Sequence, residues 1–180
     1  MADAEALLIG GRAGVGKTSV GWEVSVLLRA AGVPHAVVDG DFLGQVHPAP
    51  PGDPHRAEIT ERNLAAVWEN FVRCGCRRLV YTNTASVLPE TAGMFRRAMG
   101  EGVRIVRVLL TASDATARER LVRREAGSEL EKEWERSRRK ARSLELHVPG
   151  DAVRVATDGR SVPGVAHEVV AATGWVPPAS

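Results

Sequence analysis

The sequence lacks the features of a membrane protein. No run approaches the roughly 18 consecutive apolar residues that a transmembrane helix needs. No basic region precedes the apolar run near the start of the chain, so a targeting segment is not indicated. We therefore expect a cytoplasmic protein with no membrane partner.

Cysteine, aromatic residues and excess charge are also scarce. Cys74 and Cys76 form one C-x-C pair, whereas structural zinc sites use four ligands in spaced pairs, so reduced thiols are expected. Aromatic residues make up 4% of the chain, and 24 Lys plus Arg against 22 Asp plus Glu leave a net charge of +2. This composition disfavours nucleic acid as a partner.

The length and the hydrophobic pattern predict one α/β domain over residues 1–180. Short apolar runs alternate with stretches of helical period, which is typical of a three-layer, doubly wound fold with five parallel strands. We predict strands at Ala6–Ile9, His35–Asp39, Arg78–Thr82, Ile105–Thr111 and Val153–Thr157. Helices are predicted at about Lys17–Ala31, Arg56–Cys74, Pro89–Met99, Asp114–Ala126, Glu129–Leu146 and Val162–Thr173. Start signals are Ser113 for the fourth helix, and Ser128 with Glu131, a capping box, for the fifth.

A phosphate-binding loop is predicted between the first strand and the first helix. The stretch GRAGVGKT has the pattern G-x-x-x-x-G-K-[ST], and it follows an apolar strand and opens a helix, as this motif requires. Lys17 would reach the β and γ phosphates, and the Thr18 hydroxyl would ligate Mg²⁺. A glycine-rich turn with an incidental lysine is the alternative. The predicted nucleotide-binding residues of the loop are Gly11, Arg12, Ala13, Gly14, Val15, Gly16, Lys17, Thr18 and Ser19.

Two carboxylates follow the second strand, whereas no acid follows the third. The second strand runs into Asp39-Gly40-Asp41, and the third ends in polar residues that include Asn83. Gly40 can turn the backbone and point the two carboxylates in different directions. Alternatively, the two aspartates merely cap the N–H groups of a turn.

These residues resemble the small-molecule kinases of the nucleoside monophosphate kinase-like P-loop class, such as gluconate, shikimate and adenylylsulfate kinases and chloramphenicol phosphotransferase. The resemblance rests on GRAGVGKT, on Asp39-Gly40-Asp41-Phe42-Leu43 and on arginine-rich helices before the fifth strand. It implies the strand order 2-3-1-4-5 and transfer of the γ-phosphoryl group of ATP to a hydroxyl. It also implies that Asp39 organises the Mg²⁺ water while Asp41 accepts the hydroxyl proton, or that these roles are exchanged.

The resemblance further implies a helical lid at about residues 118–142, which contain ten basic and six acidic residues. In the resembling kinases this region closes over ATP and places arginines on the phosphates. We predict this role for Arg123 and Arg124; for each arginine, a solvated surface position is the alternative. The predicted adenine contacts are Arg118 or Arg120, together with Thr157 and Gly159 after the fifth strand.

The molecule that receives the phosphate is expected near Asp41. Polar residues at the end of the third strand fit a hydroxyl-rich ligand, and an arginine after the proline-rich loop at 47–54 would suit an anionic one. The predicted substrate-binding residues are Asp41, Arg56, Arg62 and Asn83, with His47, His55, Tyr81 and Thr84 as further candidates.

Two other functions use the same loop. A nucleotide-dependent switch or regulatory module would need a metal-holding acid on the third strand, which ends in Asn83 and Thr84 instead. Phosphorylation of nucleic-acid ends would need a basic groove. The sequence therefore favours a small-molecule kinase over both.

Overall fold

Five parallel strands form one sheet in the order β2-β3-β1-β4-β5, so the predicted fold class and strand order are confirmed. The structure is a computed structural model that describes residues 4–124 and 129–177, with Arg124 and Glu129 described by their backbone. The strands are β1 (Glu5–Gly10), β2 (Ala36–Asp39), β3 (Arg78–Thr82), β4 (Arg104–Thr111) and β5 (Val153–Ala156).

Six α-helices connect and flank these strands at the predicted places. They are α1 (Lys17–Ala30), α2 (Ala57–Arg73), α3 (Ala92–Met99), α4 (Asp114–Arg124), α5 (Glu129–His147) and α6 (Val162–Thr173). Among the helices of the described ranges, none is long and apolar enough to cross a membrane.

The predicted boundaries differ from the observed ones in a few places. The third helix was predicted from Pro89, but Pro89–Thr91 forms a separate 3-10 turn before α3. A second 3-10 turn, Gly40–Phe42, continues from β2 and was not predicted. The predicted end of the fourth helix at Ala126 and the Ser128 capping box lie outside the described residues.

Side chains of the central strand alternate between two cores, which makes the fold three-layered. On one face, Ala6 and Leu8 of β1 pack in a core with residues of α2, α3 and α5. On the other face, Leu7 and Ile9 pack in a core with residues of α1 and α6. All four are fully buried, as expected for a parallel strand with helices on both faces.

The sheet register brings the functional turns to one edge. Thr82 pairs with Asp39 of β2 on one side and with Ile9 of β1 on the other. The residues after these three strands therefore start at the same level. This edge is where ligands of doubly wound folds bind.

Candidate active site

The phosphate loop needs a glycine at its centre because the backbone is left-handed and crowded there. Gly14 has φ of +88°, and a Cβ on it would lie 2.7 Å from the backbone oxygen of Ala117 in α4. An L side chain would be strained at this φ and would also collide with α4. The loop is thus pressed against the first turns of α4.

Helices α4 and α5 hold the carbonyl groups of the phosphate loop. The Ser137 hydroxyl donates to the Ala13 oxygen at 3.1 Å, and Arg120 Nη1 donates to the Val15 oxygen at 3.3 Å. Because a trans peptide is planar, the N–H groups of Gly14 and Gly16 point away from these partners. The loop therefore presents N–H groups on its other side, as an anion site requires.

Lys17 and Thr18 begin α1 directly after the loop. The first turn of a helix has N–H groups without partners inside the helix and carries the positive end of the helix dipole. Lys17 Nζ donates to the Arg12 oxygen at 3.2 Å, so the lysine folds back over the loop. Thr18 and Ser19 are exposed on the same turn.

A chain of hydrogen bonds joins the phosphate loop to the predicted substrate residues. Thr18 Oγ1 donates to Asp39 Oδ2 at 3.1 Å, and the Asp41 N–H donates to Asp39 Oδ1 at 3.1 Å. Asn83 Nδ2 in turn donates to Asp41 Oδ1 at 2.7 Å. The structure thus brings together four predicted site residues, namely Thr18 at the start of α1, Asp39 and Asp41 at the end of β2 and just after it, and Asn83 after β3.

Thr18 and Asp39 fit a Mg²⁺ ion by the chemistry of their donors. Both present oxygen atoms, which Mg²⁺ prefers, and these atoms already lie at hydrogen-bond distance from each other. Within the described part of the chain, no three His, Cys, Asp or Glu side chains group to hold a metal. Mg²⁺ usually keeps several waters and takes phosphate oxygens, so two protein oxygens suit this ion.

Tyr81 supports the turn that carries the two aspartates. Its ring lies so close to Gly40 that a Cβ at position 40 would be 2.1 Å from the phenol oxygen. Burial raises the pKa of the Tyr81 hydroxyl, and the negative charges of Asp41 and Asp39 raise it further. Tyr81 therefore stays protonated, and Gly40 is required because no side chain fits against the phenol.

A cleft of about 750 Å³ opens beside this turn. Five predicted acceptor-side residues line it, namely His55, Arg56, Arg62, Tyr81 and Asn83. Sequence reasoning missed the rest of the wall, which comes from the facing sides of α2 and α3 and the segment between β3 and α3. These further lining residues are Ala57, Glu58, Thr60, Glu61, Ala85, Ser86, Glu90, Thr91, Met94 and Arg97.

Two other acceptor candidates are placed elsewhere. His47 is exposed in the proline-rich loop. The Thr84 oxygen accepts from the Gly11 N–H at 3.3 Å, which fastens the end of β3 to the start of the phosphate loop. Within the described residues, neither side chain lines the cleft.

The arginines of the predicted lid differ in what they contact. Arg120 Nη1 and Nη2 donate to Thr157 Oγ1 and the Thr157 oxygen at 2.9 and 3.0 Å. Arg118 pairs with Glu131 at 2.8 Å, and Arg123 pairs with Glu119 and is 74% exposed. The side chain of Arg124 lies outside the described residues. Arg120 is thus the arginine of α4 that joins the phosphate loop to the end of β5.

A smaller cavity of about 180 Å³ lies against the phosphate loop on the side of α6. Gly16, Arg120 and Thr157 line it, together with Arg160, which sequence reasoning did not single out. The Thr157 hydroxyl donates inward to the Thr111 oxygen at 3.1 Å. Gly159 follows in the same loop, with a left-handed φ of 63°.

Arg12 has a structural role that the motif does not indicate. Its guanidinium is buried, donates to Ser137 Oγ at 2.9 Å and forms an ion pair with Asp114. It also lies 4.9 Å from the ring centroid of Trp134. The hydrogen bond from Arg12 lowers the pKa of the Asp114 carboxyl, although partial burial acts in the opposite direction. Residues from α4 and α5 therefore fix the phosphate loop through a side chain as well as through the backbone.

The sheet order and the phosphate loop together define the fold of the P-loop small-molecule kinases, as the resemblance predicts. No protein-family model matches the sequence, and neither does any curated protein. Known structures do match over almost the whole chain. A gluconokinase from Sinorhizobium meliloti matches 97% of this chain and 94% of its own, with 19% identity and a TM-score of 0.58.

Two further structures have the same fold. The tunicamycin resistance protein of Deinococcus radiodurans matches 97% of this chain and 99% of its own, with 18% identity and a TM-score of 0.67. The APS kinase of Mycobacterium tuberculosis, solved with AMPPNP and APS, matches 96% of this chain and 98% of its own, with 22% identity and a TM-score of 0.56. At these identities the similarity establishes the fold.

Proposed function

We propose that this chain is an ATP-dependent phosphotransferase that moves the γ-phosphoryl group to a hydroxyl of a small molecule. The observation that carries the proposal is the hydrogen-bonded series Thr18, Asp39, Asp41 and Asn83. It leads without interruption from the phosphate loop to a cleft of about 750 Å³. A kinase needs this arrangement because the phosphate donor and the acceptor hydroxyl must lie next to each other, beside the base that accepts the hydroxyl proton.

The names of two similar structures support the proposal. A gluconokinase and an APS kinase are both small-molecule kinases, and the second was solved with the nucleotide analogue AMPPNP beside APS. We propose that residues 1–180 act as one such domain and that ATP binds in the same part of this fold.

In this proposal the phosphate loop and Lys17 bind the β and γ phosphates. Thr18 and Asp39 hold Mg²⁺, directly or through water, and the ion would neutralise phosphate charge when bound. The N–H groups of Gly14 and Gly16 point toward the phosphates. The residues of the loop, from Gly11 to Ser19, thereby position the γ-phosphorus at the edge of the sheet.

Asp41 is the proposed base. The acceptor hydroxyl oxygen forms a bond to the γ-phosphorus, the bond from that phosphorus to the β,γ-bridging oxygen breaks, and ADP leaves. The hydroxyl proton passes to the Asp41 carboxylate, which Asn83 orients through its hydrogen bond. Arg56 and Arg62 of the cleft wall contribute to positioning the acceptor.

The nucleotide base is proposed to occupy the cavity of about 180 Å³ beside Gly16, Arg120 and Thr157. Gly159 would turn the following backbone toward it, whereas Arg118 pairs with Glu131 of α5 and does not line this cavity. Arg123 and Arg124 are proposed to reach the phosphates when the arm between α4 and α5 closes, because closure excludes water and strengthens these contacts.

The function is tested by measuring ADP release across a library of hydroxyl compounds with MgATP. We expect at least one acceptor to raise ADP release well above the rate without acceptor. Lys17→Ala should reduce that stimulated rate by at least about 10²-fold, because a charge-stabilising donor is lost. Arg29→Ala is the matched control, because Arg29 is an exposed basic residue at the other end of α1, and this variant should retain the stimulated rate.

Tight MgATP binding without stimulation by any acceptor would contradict the kinase proposal. It would favour the alternative of a nucleotide-dependent switch, whose partner binding should differ between ADP and an ATP analogue. Stimulated turnover that survives in Lys17→Ala would refute the assigned role of the phosphate loop.

A further inference from the structure

The arginines of the cleft are already engaged within the protein. Arg97 Nε and Nη2 donate to the two carboxylate oxygens of Glu61, both at 2.7 Å. This fork is the preferred geometry for an arginine and a carboxylate, and it lowers the pKa of Glu61. Arg56 Nε donates to the Val46 oxygen at 2.9 Å. Two of the three guanidinium groups are thus held by the chain itself.

The third arginine, Arg62, lies 3.8 Å from Glu58 one turn earlier on α2. Three glutamates, Glu58, Glu61 and Glu90, line the same cleft as the three arginines. Asp41 does not line the cleft, but it accepts a hydrogen bond from the lining residue Asn83 and so adds a carboxylate next to it. The described lining of the cleft, together with Asp41, therefore has four carboxylates against three guanidinium groups.

The serine and threonine hydroxyl groups that line the cleft donate their hydrogens to backbone carbonyl oxygens. Thr60 Oγ1 donates to the Arg56 oxygen at 2.6 Å, and Thr91 Oγ1 donates to the Ser86 oxygen at 2.7 Å. Ser86 Oγ donates to the Asn83 oxygen at 3.0 Å. A hydroxyl has one hydrogen and two lone pairs, so each of these groups can still accept but has already donated.

We infer that the acceptor is an alcohol rich in hydrogen-bond donors and without negative charge. Its hydroxyl or ammonium groups would donate to the carboxylates and hydroxyl oxygens of the cleft, whereas an organic acid would meet carboxylates and engaged arginines. This inference rests on the proposed function and specifies its substrate class. It also reverses the sequence-based expectation that Arg56 or Arg62 binds an anion.

Three six-carbon probes that differ in charge test the inference on the whole protein with ADP and MgCl₂. Glucitol is neutral, 1-amino-1-deoxyglucitol is cationic and gluconate is anionic. Binding is followed by the NMR shift of the Asn83 side-chain amide at constant ionic strength. We expect the neutral or the cationic probe to bind at least about tenfold more tightly than gluconate, because like charges in a cleft repel.

A gluconate affinity equal to or above that of both other probes would overturn the inference. So would an Asn83 signal that responds to none of the three, because the cleft would then not recognise donor-rich alcohols.

A variant without the charge of Glu61 tests whether the Glu61–Arg97 pair causes the preference against anionic ligands. Glu61→Gln releases Arg97 and should tighten gluconate binding by about threefold or more, since a free guanidinium becomes available. Glu69→Gln is the matched control, because Glu69 lies on the same helix and pairs with Arg73 at 2.6 Å outside the cleft lining. Equal gluconate affinity in the two variants would show that the Arg97 pair does not set the preference and would overturn the inference.

The two proposals fail in different ways. If the Asn83 amide responds to glucitol but no alcohol accelerates ADP release, the cleft has the inferred chemistry and the kinase function is wrong. If an organic acid accelerates ADP release more than every neutral or cationic alcohol, the kinase function stands and the substrate class is wrong.

Discussion

Arg12 and Ser137 are 125 residues apart in the chain, yet Arg12 Nε donates to Ser137 Oγ at 2.9 Å. The same hydroxyl donates to the Ala13 oxygen, so one serine of α5 binds two consecutive residues of the phosphate loop. The phosphate loop is therefore fastened to this part of α5 by two hydrogen bonds that meet at Ser137.

Replacing Arg12 should destabilise the fold. Arg12→Ala removes a hydrogen bond, an ion pair and a cation–π contact from a buried side chain. We expect the free energy of unfolding to fall by about 3 kcal/mol, the upper end of the range for hydrogen bonds of charged groups. Urea denaturation measures the change. Arg73→Ala removes an exposed pair one turn apart on α2 and should cost less than about 0.5 kcal/mol; equal losses in both variants would contradict the assigned role of Arg12.

The two aspartates of the β2 turn should lose different functions. Asp41→Asn is expected to keep MgADP affinity while phosphate transfer falls by about 10²-fold or more, because an amide cannot accept the proton. Asp39→Asn should instead weaken the Mg²⁺ dependence of nucleotide binding. Calorimetry of ADP binding with and without Mg²⁺, together with turnover, separates the two effects. The exposed Asp151 provides the control variant Asp151→Asn, and the opposite pattern would exchange the roles of Asp39 and Asp41.

A methyl group at position 40 should disturb the turn. In Gly40→Ala the new Cβ would lie 2.1 Å from the Tyr81 phenol oxygen, and overpacking of this kind costs about 1–3 kcal/mol. Gly150→Ala is the matched control, since a Cβ there meets nothing within 4 Å. Thermal unfolding followed by circular dichroism should show a lower midpoint for Gly40→Ala alone. A midpoint equal to that of Gly150→Ala would mean that Tyr81 does not restrict the turn.

Asp158 should make the protein's stability depend on pH in acid. Hydrogen bonds from Ser113 and Thr116 lower the pKa of Asp158 from 3.8 to about 2. A carboxyl whose pKa is lowered by folding stabilises the fold fully above its unfolded pKa and loses this contribution as pH falls through the folded one. Relative to the unsubstituted protein, Asp158→Asn should therefore have a lower free energy of unfolding. The difference, measured by urea denaturation, should be the same near pH 7 and pH 5 and smaller near pH 3. A deficit that does not shrink would contradict the low pKa.

Local patterns predicted much of the fold, and long-range pairs explain what they missed. The strand at Leu79 and the helix that starts at Lys17 follow from hydrophobic period and from the motif. Glu61 and Arg97, by contrast, are 36 residues apart, and each has the pattern of an ordinary surface charge on a helix. Their pairing depends on how α2 and α3 pack together, which no local pattern encodes. For the same reason Arg12 was predicted as a nucleotide-binding residue of the loop, and its contacts with α4 and α5 were not predicted.

The Asp39-Gly40-Asp41 turn lies between the phosphate loop and the cleft, which come from separate segments of the sequence. Among the described residues, all that line the cleft fall between positions 55 and 97, whereas the phosphate loop belongs to the first twenty residues. Under the proposed function, new acceptors would be acquired by changes within a single segment while the phosphate loop is left intact. Such an arrangement makes the chain a suitable starting point for directed evolution, in which residues 55–97 are randomised and the turn is kept as the fixed junction.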